Sequence, residues 1–290
     1  MADISRTTNN MALPSDVSAE IIQKTQQTSA IMQLARRVAL PGRGLTIPVI
    51  TGDPEAAWVA ETAAKPVSNA AVGTKLMQAY KIAVIETFSN EFRRDLQALY
   101  DALVARLPGA LAKVVDATVI GATPAPGNNF DTFAGCTAQS IANASNGTYL
   151  GLVAADSDIA AHGGILSGFA LGAQARGLLL TATDTTNRPL FLNSATEGTV
   201  NRLLGVPAYF SGGLYKAGTP AIVGIAGDWT KAMVGTVEGV QIGISEEATV
   251  TSGATTINLW QQNMFAVRAE IEVGFRADTA CFNLLTNGAS

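Results

Sequence analysis

Phe265-Ala266-Val267-Arg268-Ala269-Glu270-Ile271-Glu272-Val273-Gly274-Phe275-Arg276 decides the fold class of this 290-residue chain. Phe265, Val267, Ala269, Ile271, Val273 and Phe275 alternate with Ala266, Arg268, Glu270, Glu272, Gly274 and Arg276. Side chains on a strand point to opposite faces in turn, so this period of two predicts a long strand with one buried and one polar face. Working upstream, Ala221-Ile222-Val223-Gly224-Ile225 opens a run of strands that continues to the C-terminus. Leu45-Thr46-Ile47-Pro48-Val49-Ile50 is another strand, and Pro48, which has no N–H, restricts it to an edge. A further alternation runs from Leu76 to Thr87, with Leu76, Tyr80, Ile82 and Val84 on one face and Gln78 as its break.

Between those two strands lie Gly52 to Thr74, 23 residues where a hairpin loop normally has about 2–5. A connection of that length is functional or disordered, and this one carries Trp58 and Val59 on an alanine-rich background. An exposed tryptophan on a projection points to a docking surface. After Ser89-Asn90-Glu91-Phe92, which has the form of a helix start, Leu96, Leu99, Tyr100, Leu103, Leu107, Leu111, Val114 and Val115 recur at spacings of three and four. They predict a long amphipathic helix ending near Gly121, kinked or broken at Pro108-Gly109. Residues 128–221 read as an α/β mixture without a fixed repeat, in which Ile165-Leu166 and Leu178-Leu179-Leu180 look like short buried strands. Residues 1–40 read as a polar arm, frayed or ordered only against a neighbour.

Composition narrows the function classes. The chain is 48% hydrophobic, enough for a sizeable core, while its charged fraction of 14% falls well short of the roughly 25% usual for a soluble domain. Charge normally sits at the surface, so a deficit suggests surface covered by something else. Net charge −4 and a pI near 5.1 argue against a free-standing basic nucleic-acid binder. Cys136 and Cys281 make no disulfide framework and, with the single histidine His162, none of the usual Cys/His zinc sites. No apolar run approaches the ~18 residues of a membrane span, and the N-terminus lacks a signal-peptide core, which fits a soluble intracellular product. There is no phosphate loop and no nucleophile elbow. His162, between Ala161 and Gly163-Gly164, has no nameable nucleophile or orienting partner, so enzyme chemistry of the ordinary kind has little support.

The order of elements, together with specific segments, resembles the major capsid proteins of tailed bacteriophages, the Hong Kong ninety-seven-like fold. Val59-Ala60-Glu61-Thr62-Ala63-Ala64-Lys65-Pro66 looks like the tip of that family's extended loop, and Thr87-Phe88-Ser89-Asn90-Glu91-Phe92 like the start of its spine helix. Asn187-Arg188-Pro189-Leu190-Phe191 and Leu203-Leu204-Gly205-Val206-Pro207-Ala208 look like its axial-domain pattern. Gly227-Asp228-Trp229 and Asn263-Met264-Phe265-Ala266-Val267-Arg268-Ala269-Glu270 look like its closing peripheral strands. The set covers nearly the whole chain in order.

The resemblance implies an α+β fold with an N-terminal arm (1–41), an extended β-hairpin loop (42–86), a peripheral domain with spine helix (87–122 and 222–290) and an axial domain (123–221). It implies a structural protein that assembles as hexamers and pentamers into an icosahedral shell around double-stranded DNA. The place of action would be the virion, with assembly in the host bacterial cytoplasm. Its partners would be copies of itself, a portal and, optionally, scaffolding or decoration proteins. DNA would be contacted non-specifically, with Arg36 and Arg37 either facing it or paired with acids. No membrane, cofactor or metal is implied. The start of the chain almost directly at the arm leads us to expect a separate scaffold or none, and little proteolytic trimming. Trp58, Val59, Glu61 and Lys65 would make inter-subunit contacts.

Some relatives join subunits by an isopeptide bond between a loop lysine and an asparagine, promoted by a glutamate. Lys65, Asn263 and Glu270 occupy the matching positions. Seven positions along one strand separate Asn263 from Glu270 by about 23 Å at ~3.3 Å per residue, so such a site has to form between subunits. Other readings are an encapsulin-type compartment of the same fold, a soluble α/β hydrolase dependent on His162, and a tail tube subunit, which the long helix and projection fit poorly.

Overall fold

The computed structural model describes residues 24–25, 28–42, 44–50, 58–59, 72–91, 96–142, 147–183, 188–191, 201–237, 241–252 and 255–288. In chain order the elements are α1 (Ala30–Leu34), β1 (Arg36–Ala39), β2 (Leu45–Ile50), β3 (Val72–Met77), β4 (Tyr80–Ser89), α2 (Leu96–Val119), β5 (Ala138–Ser140), α3 (Gly147–Ala161), β6 (Gly168–Gly172), α4 (Ala173–Thr181), β7 (Arg202–Leu203), β8 (Val206–Ser211), β9 (Ile222–Gly227), β10 (Ala232–Thr236), β11 (Gln241–Ser245), β12 (Thr249–Ser252), β13 (Thr255–Asn258), β14 (Met264–Ala277) and β15 (Phe282–Thr286).

The alternating segment is β14, and it organises a five-stranded sheet. Met264–Val273 pair antiparallel with β4 along one edge. On the other edge Val273–Ala277 pair with β10, which β1 continues in parallel, and Ala266–Glu270 pair with β11. Phe265, Val267, Ala269, Ile271, Val273 and Phe275 are all buried, in a core shared with Leu107, Leu111, Val115 and Val119 of α2. The opposite face carries a charged ladder: Lys81 Nζ is 3.0 Å from Glu270 Oε2 and Arg268 Nε is 3.1 Å from Glu270 Oε1.

The second sheet has six strands in the order β5-β15-β9-β6-β8-β7. Its central strands are buried on both faces: all of β6 and all of β15 are buried, and the one amide among them, Asn283, donates to Ala155 O at 3.1 Å. Ala170, Ile225 and Leu284 turn into the main core, while Phe169, Leu171 and Leu285 turn into a second core with Leu152, Ala155 and Ile159 of α3 and Ala175 and Leu179 of α4. The two sheets meet at an aromatic cluster. Phe133 stacks on Phe282 at 4.4 Å, and Trp229 and Phe275 meet Phe133 edge-on. The Trp229 indole N–H donates to Gly168 O at 2.9 Å, so its polar edge is satisfied inside the core.

Several expectations need correction. The strands that follow residue 221 do not all join the sheet of β14: β9 and β15 belong to the middle sheet. Strands buried on both faces belong at a sheet centre, and the centre available to them lies between β5 and β6. The helix does not break at Pro108: α2 is one helix of 24 residues with Pro108 inside it. Val114, assigned to the apolar face, is exposed. Leu178–Leu180 lie in α4, and Ile165 is an exposed loop residue, since short apolar runs do not distinguish strand from helix by period. The alternation from Leu76 to Thr87 is two strands that part at Gln78-Ala79, and Leu76 is exposed while Met77 is buried. Gly121 ends α2 as expected: at φ 78° it adopts the left-handed conformation that glycine takes at helix ends, its N–H donating to Thr118 O.

Candidate functional site

The projecting ribbon is the candidate site. Among the described residues β2 and β3 pair only with each other, from Leu45↔Met77 to Ile50↔Val72. Two-stranded ribbons are marginal by themselves, so the base must be held from outside. Two devices hold it. The first is a slot in the large sheet where Gly235 and Gly274 are register partners. A Cβ at Gly235 would run into Leu40 and the Met77 sulfur, and one at Gly274 would lie 2.8 Å from Gln78 O and 3.0 Å from Leu40 Cδ1. Two facing glycines thus leave a flat floor into which Leu40 and Met77 settle, and both are buried.

The second device is a polar clamp around Arg276, at the end of β14's polar face. Its guanidinium donates to Leu76 O from both Nε (2.9 Å) and Nη2 (2.6 Å), to Asp131 Oδ1 from Nη1 (2.7 Å) and to Asn129 Oδ1 from Nη2 (2.9 Å). Asp131 Oδ2 accepts from Ala277 N at 3.1 Å and lies 4.0 Å from Lys75 Nζ. Arg276 and Asp131 side chains are 10% and 19% exposed, so this ion pair is largely desolvated and each charge depends on the other. Neither device was foreseen. The signals present were two glycines at strand positions, which mark a close approach of another backbone, and an arginine closing an otherwise regular polar face.

In the segment that joins β2 to β3, Trp58 is wholly exposed and Val59 is 38% exposed. Glu61 and Lys65 lie outside the described residues, as do residues 1–23 of the expected arm. Asn263 sits in the turn before β14 with φ 53°, exposed, its Oδ1 accepting from Asn90 Nδ2 at 2.9 Å. Glu270 lies along the continuous β14, so the structure does not bring these two together within one chain. The Glu270 carboxylate is engaged by Lys81 and Arg268, and the Lys81 hydrogen bond, assisted by the Arg268 charge, holds its pKa below the usual glutamate value. That makes it a weaker proton acceptor than a free carboxylate.

The arm's first described helix is tied down by Asp116 of α2. Asp116 Oδ1 accepts from Ser29 Oγ at 2.6 Å, Oδ2 from Ala30 N at 3.3 Å, and Ser29 Oγ in turn accepts from Met32 N at 3.1 Å. Burial pushes the Asp116 carboxyl up to about 6 despite hydrogen bonds from Ser211, Ser29 and the Ile31 and Ala30 amides. Arg36 and Arg37 lie on the exposed strand β1, where Arg37 Nε donates to Met32 O at 3.0 Å. His162 is exposed with Nδ1 2.8 Å from Asp158 O, a contact with its own helix end, not with a nucleophile. Among the described residues no group of three or more His, Cys, Asp or Glu could hold a metal, and no helix is long and apolar enough to cross a membrane.

Comparison with known proteins places this geometry. The sequence pattern of the phage capsid family matches residues 9–279. The chain is 27% identical to the "Probable major capsid protein gp17" of Mycobacterium phage D29, over 96% of this chain and 91% of that one. It is 28% identical to the protein of the same description from Mycobacterium phage L5, over 95% and 89%. Among solved structures, a chain of Microbacterium phage Oxtober96 superposes with a TM-score of 0.72 at 21% identity, covering 89% of this chain and 91% of that one. A chain of Gordonia phage Cozz gives 0.69 at 24%, over 91% and 87%. The capsid of a native GTA particle gives 0.62 at 16%, over 100% and 96%.

Proposed function

The chain belongs to the phage capsid family, and on that premise we propose that it is the major capsid protein of a phage head, self-assembling as hexamers and pentamers into an icosahedral shell around double-stranded DNA. It is a structural protein and not a turnover enzyme. The observation that carries this reading is the β2–β3 ribbon, whose strands pair with each other and with no other strand among the described residues, while Trp58 in the segment that joins them is fully exposed. A ribbon so built gains a stable surround only from a neighbouring copy, so the fold is complete in the lattice. We assign the sheet of β14 with α2 to the peripheral domain and the six-stranded sheet to the axial domain. Trp58, Val59, Glu61 and Lys65 are the inter-subunit contacts. The site of action is the virion, after assembly in the host cytoplasm. A portal docks at one vertex, with scaffolding or decoration proteins as optional partners, and DNA is held without sequence preference.

Expression of the full chain followed by size-exclusion chromatography and electron microscopy tests this. Closed shells or capsomers are expected. A compact monomer that persists across salt, pH and concentration overturns the reading.

The finer chemistry follows the same premise: the Lys65 amine of one subunit attacks the Asn263 side-chain carbonyl of another, the carboxamide C–N bond breaks and ammonia leaves, with a Glu270 brought in by assembly accepting the lysine proton. Exposure of Asn263 supports it. The engagement of Glu270 by Lys81 and Arg268 requires that Lys65 displace part of that ladder on arrival. Denaturing electrophoresis of intact particles decides: a ladder of multimers supports the bond, and a single band at the monomer mass excludes it.

A further inference from the structure

Two of the chain's passages between the two sheets, β9 to β10 and β14 to β15, use the same device. From β9 to β10 it makes a 3-10 turn, Trp229–Lys231, started by Asp228 (φ −87°, ψ 92°). From β14 to β15 it makes another, Thr279–Cys281, started by Asp278 (φ −85°, ψ 94°). The turns lie against each other through reciprocal backbone bonds: Asp228 N donates to Cys281 O at 3.1 Å and Asp278 N to Lys231 O at 3.2 Å. Each turn's third residue therefore faces its counterpart. Lys231 Nζ lies 3.1 Å from Cys281 Sγ and donates also to Gly163 O at 3.1 Å. The sulfur has two further neighbours, His162 O at 3.5 Å and Asp278 Oδ2 at 3.8 Å.

Cys281 is buried, but its cover is thin. It lies under the His162–Gly164 turn, of which His162 and Gly163 are exposed. A Cβ at Gly164 would stand 3.1 Å from Cys281 Cβ and 3.2 Å from Sγ, so only a glycine roofs the thiol without moving it. A small oxidant reaches such a sulfur where a bulky reagent does not.

We propose that Lys231 and Cys281 form an oxidative cross-link site, in which peroxide converts the facing amine and thiol into a sulfenamide. In the first step the sulfur attacks hydrogen peroxide, the O–O bond breaks, and Cys281 becomes a sulfenic acid with release of one water. In the second the Lys231 amine attacks that sulfur, the S–O bond breaks and a second water leaves with a proton from nitrogen. One S–H and one N–H are lost and one S–N bond forms. Sulfur is oxidised by two electrons, which reduce the peroxide to water. The held distance supplies the effective concentration that an intermolecular amine lacks. The Cys281 hydrogen bond, with help from the Asp278 and Asp228 carboxylates, raises the Lys231 pKa, so the ammonium must first lose a proton to solvent and the reaction runs faster in alkali. Cys136, whose Sγ donates to Thr279 O at 3.3 Å, is a poor competitor: burial pushes its thiol up to about 12, which keeps it protonated. The bond staples both passages at one level and so fixes the two sheets to each other.

Full-length protein is treated with hydrogen peroxide at neutral pH and at about pH 9, digested without reductant and mapped by mass spectrometry. The expected product is a pair of peptides containing Lys231 and Cys281, joined with loss of two hydrogen atoms, more abundant in alkali and released by a thiol reductant. Lys231→Arg, which keeps the charge, and Cys281→Ser each abolish it. In Lys231→Arg, Cys281 is instead recovered as its sulfenic acid, trapped by dimedone present while the oxidised protein is unfolded. Absence of the joined pair at both pH values overturns the proposal, as does its persistence in Lys231→Arg.

Discussion

Removing Asp131 isolates the clamp's contribution. In Asp131→Ala, Arg276 keeps its bonds to Leu76 O and Asn129 but loses its only carboxylate within 4 Å among the described residues, and Ala277 N loses its acceptor. Breaking a buried ion pair by removing one partner costs about 3–5 kcal/mol because the other charge is left uncompensated. With side-chain exposures of 10% and 19% the pair is not fully dry, and Arg276 retains neutral acceptors, so the lower figure, about 3 kcal/mol, applies. That is roughly a hundredfold in the folded-to-unfolded ratio. Urea unfolding followed by tryptophan emission reads it, since Trp229 is buried at the join of the two sheets while Trp58 and Trp260 are exposed and contribute little change. Protein concentration is held fixed, because association adds to apparent stability. The double variant Asp131→Leu/Arg276→Met replaces both charges with apolar groups and is expected to recover most of the loss. A single variant within about 0.5 kcal/mol of wild type, or a double variant as unstable as the single, refutes the clamp.

Two further outcomes follow from the same geometry. Asp116 titrates near 3.8 unfolded and near 6 folded, so the folded chain holds a proton that the unfolded chain has released between those values. Its stabilising effect is complete below the lower value and lost as pH rises through the upper, a difference on the order of 3 kcal/mol that Asp116→Asn removes from the stability-versus-pH curve; identical curves for the two proteins reject the assignment. Gly235→Val forces a branched side chain into the place of Leu40 and Met77, and amide exchange of residues 72–77 is expected to speed up at least tenfold while β15 keeps its protection; unchanged exchange at the ribbon base means that the slot does not hold it.

What the sequence made legible is local. Alternation from Phe265 to Arg276 is a property of neighbouring residues, and β14 follows it over its whole length. The spacing of four between Leu107, Leu111 and Val115 likewise marks the buried stripe of α2. What stayed hidden depends on contacts between distant segments. Ile222–Gly227 reads as an apolar run in either sheet, and only pairing with Phe282–Thr286 and Gly168–Leu171 settles which one it joins. Asp116 shows no pattern of its own, since its partners Ser29 and Ser211 lie far away in the chain. Gly235 and Gly274 acquire meaning only as register partners. Family resemblance carried the functional reading because no short-range motif encodes assembly.

The low charge content acquires a physical sense from where the resolved charges sit. Lys81, Arg268, Glu270 and Glu272 form one ladder on the outer face of β4 and β14, and Arg276, Asp131 and Lys75 form the clamp at its end. Both groups lie along the same polar face, at and beside the base of the ribbon. Elsewhere the exposed surface carries large apolar groups: Leu150 on α3, Ile165 in the following loop, and Trp260 at the turn before β14. Single exposed apolar residues need no explanation in a monomer, but a chain with 14% charge that also displays them across both sheets has few means of staying dispersed. Charge along β14 holds the ribbon base, while other exposed charges, among them Arg36, Asp156, Arg176 and Arg202, lie away from it. For the shell subunit proposed above, the exposed apolar positions Leu150, Ile165 and Trp260 are the surface open to contact with neighbouring copies.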